Sequence, residues 1–120
     1  MKCNVVLCGD AQNETISCIG ELNIKGKGFA LSYSYGGDSC LLAYDGHILR
    51  HKKEGEIPVC INFILNENTA CTIGDSAFSG EIPVLTNSLN VHMVAKTLSI
   101  SVVYELGGEI KKMKISAESI

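Results

Sequence analysis

A chain of 120 residues supports one hydrophobic core and is too short for two, so residues 1–120 read as a single domain. Its 46% hydrophobic and 19% charged residues make an ordinary globular balance. A formal charge of −3, no Trp, three Phe and four Tyr argue against a general grip on nucleic acid or an anionic membrane, and against base-stacking platforms.

The chain opens Met1-Lys2-Cys3-Asn4-Val5-Val6-Leu7-Cys8, one lysine followed by a short apolar run. That run falls short of a secretory leader, and no stretch approaches the roughly 18 apolar residues of a membrane span. The expected location is the cytoplasm. Six cysteines follow from the same logic: Cys3, Cys8, Cys18, Cys40, Cys60 and Cys71 contain no C-x-x-C pair, and most sit inside apolar strand patterns. They read as reduced thiols packed as small hydrophobes, not as bridges or metal ligands.

Period-2 alternation then runs along the chain. Ile16, Cys18, Gly20, Leu22 and Ile24 form the first stripe. Lys25-Gly26-Lys27-Gly28 turns into Phe29–Tyr35, where Phe29, Leu31, Tyr33 and Tyr35 point one way and Ala30, Ser32 and Ser34 the other. Gly36-Gly37-Asp38 ends that strand. Asp45-Gly46 reads as a two-residue hairpin joining Cys40–Tyr44 to His47–Lys52. Val59, Ile61, Phe63 and Leu65 form the next stripe, and Asn66-Glu67-Asn68 separates it from Thr69–Ile73. Ser76-Ala77-Phe78-Ser79-Gly80 is a loop whose serines suit a turn. Asn87-Ser88 could cap a helix carrying Leu89, Met93 and Val94, but Leu89, Val91, Met93 and Ala95 also alternate, and the β-branched content favours a strand. Leu98, Ile100, Val102, Tyr104 and Leu106 share a face, Gly107-Gly108 turns, and Met113, Ile115 and Ala117 oppose Lys112, Lys114 and Ser116. The pattern predicts an all-β domain, a sandwich or a barrel of about eight to ten short strands.

Chemistry is sparse. His47 and His51 lie four apart, which on a strand spaces them by roughly 13 Å, too far for one metal, so they read as two solvent-facing imidazoles. His92 lies on the polar side of its strand, with no Cys or carboxylate at ligand spacing. There is no G-x-S-x-G elbow, and the glycine pairs do not lead into helices, so neither a nucleophile nor a phosphate loop is indicated. Glu54 and Glu56 beside Lys52 and Lys53 read as a solvated loop. No catalytic residue, cofactor or metal is expected. Arg50 stands out, because it shares a face with Ile48. If Ile48 points inward, Arg50 is drawn toward the interior and needs a partner or ligand; the alternative is an arginine at the rim whose stem covers apolar surface.

Several segments together resemble the YwiB-like family, small bacterial proteins with a calycin-type (lipocalin-like) barrel and no established activity. The resemblance rests on Gly28-Phe29-Ala30-Leu31-Ser32-Tyr33; on Ile48-Leu49-Arg50 followed by Gly55 and Phe63; on Gly80 with Thr86 and Leu89; and on Leu98–Leu106, which ends Tyr104-Glu105-Leu106. It departs from the family where Lys52-Lys53-Glu54 widens the Arg-to-Gly gap, where Ser76–Gly80 replaces a T-P-aromatic-G turn, and where Gly107-Gly108 shortens the last loop. The resemblance implies a closed or nearly closed antiparallel calycin-like barrel, of a kind that often holds a small apolar ligand. The function expected is therefore non-enzymatic binding of a small amphiphilic or anionic ligand inside the barrel by Arg50, Tyr33, Tyr104 and Phe63. Arg50 suits a carboxylate or phosphate. The alternative is a protein-interaction module using the barrel wall or an exposed strand edge. A monomer or homodimer is expected.

Overall fold

The computed structural model describes residues 1–9, 15–74 and 79–120. Among these, every helix or strand is a strand: β1 (Lys2–Gly9), β2 (Thr15–Lys25), β3 (Gly28–Tyr35), β4 (Asp38–Tyr44), β5 (Ile48–Glu54), β6 (Val59–Ile64), β7 (Asn68–Gly74), β8 (Ser79–Val94), β9 (Thr97–Leu106) and β10 (Glu109–Ser119). No helix is long and apolar enough to cross a membrane. Each strand pairs antiparallel with its neighbours in the chain, and β10 pairs with β1 to close a ten-stranded barrel. Residues 76–78 of the expected serine loop lie outside the described residues, while Ser79 and Gly80 open β8.

Alternation sorts the residues between two faces. Phe29, Leu31 and Tyr33 of β3, Ile61 and Phe63 of β6, and Leu98, Ile100 and Val102 of β9 are buried inside, as their stripes predict. The stripe ends are not: Ile24, Tyr35 and Leu65 emerge at the rims, where the wall ends before the pattern does. β1 was not evident as a strand, yet it contributes Cys3 and Val5 to the core and supplies the closing ladder, Cys3 opposite Ser119 through Gly9 opposite Met113. Closure gives each described strand a neighbour on both sides, but the β7–β8 ladder ends at Leu85, and beyond the Leu65–Thr86 bridge the rest of β8 is paired only with β9.

Glycine at the turns fits the conformations needed. Gly36 and Gly37 at φ 61° and 85°, and Gly107 and Gly108 at φ 59° and 91°, form two-residue hairpins with both central residues in the left-handed region. The β4–β5 turn differs from expectation. Its tip is Gly46-His47, one residue further on than Asp45-Gly46, and only Gly46, at φ 100°, is left-handed. Asp45 sets this: its Oδ1 accepts from the backbone N–H of His47 at 2.8 Å and of Ile48 at 2.7 Å.

β8 is a strand throughout, with a bulge between Thr86 and Ser88 in its pairing with β9. The bulge switches the inward phase from Ile82, Val84 and Thr86 to Leu89, Val91 and Met93. On its other side, β6 and β7 pair only over Val59–Ile61, and the gap beyond is bridged by Thr69 Oγ1 donating to Asn62 O at 2.5 Å and by Leu65 reaching Thr86 directly.

Candidate functional site

The two ends of the barrel present different inward-facing residues. Around the termini of β1 and β10 and the β2–β3 and β4–β5 turns, Cys3, Leu22, Phe29, Leu49, Leu98 and Ala117 are buried. Near the Gly36-Gly37 and Gly107-Gly108 turns, inward-facing Leu7, Cys40, His51, Val59, Leu106 and Met113 are only partly covered. At the first end, inward-facing Tyr44 and Met93 are likewise only partly covered, so the inner wall is partly reachable from both ends.

Polar groups gather at the second of these ends, on β3, β4 and β5. The register puts Tyr33 opposite Cys40, and Cys40 opposite Lys53, with His51 one inward step below Lys53. The Tyr33 hydroxyl lies 3.4 Å from His51 Nε2, a long hydrogen bond. Lys53 Nζ lies 3.3 Å from Asp38 Oδ2, across the start of β4. Glycine at position 55 leaves the space the Asp38 carboxylate occupies in this pair; a Cβ there would overlap the carboxylate and displace it. Burial pushes the Tyr33 hydroxyl far above its ordinary value, and the neighbouring Cys40 adds to the shift. Burial, reinforced by the Lys53 charge, holds His51 below 6.5, so the imidazole is neutral at pH 7.

His51 thus differs from the solvent-facing imidazole expected, whereas His47 is exposed. The physical reason is phase. Ile48 and Leu49 are both apolar, so alternation alone does not choose between them. Pairing of Leu49 with Phe63 and Tyr44 settles it, carrying His51 and Lys53 inward and Ile48 and Arg50 outward. Arg50 accordingly stands on the outer wall, exposed, donating from Nε to Asn62 Oδ1 at 3.0 Å beside Ala43, Tyr44 and Ile48. It does not join Tyr33, Phe63 and Tyr104, which all face the interior. The sequence signal for Lys53 and His51 was their shared phase with Leu49.

Phe63 and Tyr104 meet edge to face, ring centroids 4.8 Å apart. Opposite Tyr104 in the ladder stands Thr86, fully buried, its Oγ1 without a hydrogen-bond partner. Polar groups on the inner face of the described residues thus include the β3–β5 wall and the Thr86 hydroxyl beside Tyr104.

The arrangement offers little to nucleophilic chemistry. All six cysteines are free, and burial raises the thiols of Cys3, Cys18, Cys40 and Cys71, which keeps them protonated at neutral pH. Among the described residues no His, Cys, Asp and Glu cluster could hold a metal ion.

Strand order and closure define a small closed up-and-down antiparallel barrel. Among solved structures, the ywiB protein from Bacillus subtilis shares this fold, with a TM-score of 0.76 at 18% identity, over 99% of this chain and 89% of that one. No protein-family model and no curated protein matches the sequence. At this identity the likeness is one of fold, and the chain is a small β-barrel protein resembling YwiB.

Proposed function

We propose that this protein is a calycin-type binding barrel that holds a small amphiphilic or anionic molecule at the end beside the Gly36-Gly37 turn without transforming it. One observation carries the reading: inward-facing Cys40, His51 and Lys53 stay partly accessible and stand together at the end of the barrel beside the Gly36-Gly37 turn. A concave, largely apolar site with a few converging polar groups is the usual form of a small-molecule pocket. Here the half-buried Leu7, Val59, Leu106 and Met113 supply the apolar part. Tyr33, His51 and Lys53 supply the polar part, Phe63 and Tyr104 form the inner floor, and Arg50 has no part in it. The six unpaired thiols suit a reducing compartment, and we assign the protein to the cytoplasm.

The test is a thermal-shift and calorimetric screen of alkyl carboxylates, alkyl alcohols and aromatic acids against the intact chain. Binding that is lost when Val59 or Met113 is replaced by a charged residue, with the fold retained by circular dichroism, supports the reading. Binding unaffected by either substitution, or no binding across the screen, refutes it.

A further inference from the structure

We propose that Lys53 is the head-group anchor for a carboxylate-bearing ligand, and that Asp38 occupies that anchor until the ligand displaces it. This deepens the binding reading above and rests on it.

Lys53 faces the interior in phase with Leu49 and His51, and its side chain is 44% exposed, so the ammonium can be reached from solvent at this end of the barrel. Its partner is itself a carboxylate, held by one contact: Asp38 Oδ2 at 3.3 Å. The only other inward-phase lysine among the described residues at this end, Lys111, is paired at 3.3 Å with Glu109, two residues away on its own strand. Asp38 instead reaches Lys53 from the β3–β4 turn, across the strand pair. It rests where a side chain at position 55 would otherwise lie. An exposed ion pair of this kind is worth little, so an incoming anion exchanges one carboxylate for another at small cost.

The neighbours define the charge of that anion. Among the described residues beside Lys53, the Cys40 thiol opposite it and the neutral His51, itself bonded to the Tyr33 hydroxyl, offer hydrogen bonds but no second positive charge. One cation with neutral donors matches a monoanion, and the group already seated there is a carboxylate. The half-buried Val59, opposite Lys53 across the β5–β6 pair, begins the apolar surface that an alkyl chain would follow inward.

The experiment compares decanoate with decanol, by isothermal titration calorimetry, on the native chain and on Lys53→Gln, Lys53→Arg, Asp38→Asn and Gly55→Ala. Melting curves establish that each variant is folded. Decanoate affinity should fall about tenfold in Lys53→Gln and be retained in Lys53→Arg. It should rise several-fold in Asp38→Asn, which removes the competing charge. It should rise likewise in Gly55→Ala, whose methyl group pushes Asp38 away while leaving its charge in the chain. Decanol should bind every variant alike. Decanoate binding that ignores Lys53→Gln and Asp38→Asn overturns the anchor while leaving the binding barrel standing. Failure of both probes to bind any variant overturns the anchor together with the barrel reading beneath it.

Discussion

Gly28 opens β3 at a point where the wall leaves no room for a side chain. A Cβ built there would overlap the carbonyl oxygen of Tyr44 and lie 3.1 Å from its carbon and 3.2 Å from the Asp45 Cα. All three are backbone atoms on the next strand and its turn, so no side-chain rotation relieves the contact. Phe29 is paired with Tyr44 immediately beside it, so β3 and β4 must separate locally, by roughly an ångström. Overpacking against a flexible core costs about 1–3 kcal/mol, and a rigid backbone neighbour places Gly28→Ala at the upper end, about 3 kcal/mol. For a domain of this size that corresponds to a fall in melting temperature of roughly 10 °C. The assay is urea unfolding followed by far-UV circular dichroism, with Gly80→Ala as control, since a Cβ at Gly80 meets nothing within 4 Å. The control should stay within about 0.5 kcal/mol of the native chain or gain slightly from a stiffer unfolded state. A Gly28→Ala variant as stable as the native protein, or a control equally damaged, would refute the close-approach argument.

Three other substitutions probe separate features. Ala95 sits at φ 54°, where a Cβ is strained, so Ala95→Gly should raise stability by about 0.5–1 kcal/mol in chemical unfolding; a loss would show that the turn is not left-handed. Thr86→Val removes a buried hydroxyl without a partner and should stabilise by about 1 kcal/mol, a gain read from the melting temperature and contradicted by any decrease. His51 is held below 6.5 when folded, so just below that pH the unfolded chain binds a proton the native chain does not. Stability should therefore fall as pH drops below 6.5 and level off once the native imidazole titrates. The melting temperature of His51→Gln should be flatter over that window, and an identical slope in both proteins would rule out His51 as the cause.

Strand identity was legible wherever one phase of a stripe was apolar and the other was not. β3, where Ser32 and Ser34 alternate with Leu31, Tyr33 and Tyr35, and β10, where Lys112 and Lys114 flank Met113, are of that kind. Where neighbouring residues are both apolar, local sequence does not choose the face, and contacts across the sheet do. Ile48-Leu49 is the case that mattered, because it decided whether Arg50 or the His51–Lys53 pair faces the interior. The break in alternation around Asn87 had a similar origin: a bulge shifts phase by one residue, which from sequence resembles the start of a helix. The gathering of Tyr33, Cys40 and Lys53 in one row depends on two inter-strand registers at once, which no local pattern encodes.

The ladder between β1 and β10 has a consequence for how the chain reaches its native state. Nine of the ten strand pairs join elements adjacent along the chain, so a meander can grow hairpin by hairpin with short loops to close. The tenth unites strands almost a full chain length apart, and until it forms the meander carries two bare edges prone to pairing with other copies. The same ladder leaves the ends of β1 and β10 side by side, with Ile120 N donating to Lys2 O at 3.1 Å. A circular permutant that joins those ends and opens the chain at Gly107-Gly108 would keep every ladder. It would also turn the long-range closure into a local hairpin and make the β9–β10 pair the late step instead. Comparing the refolding rates of the two connectivities would show whether joining the first and last strands limits the folding of this barrel.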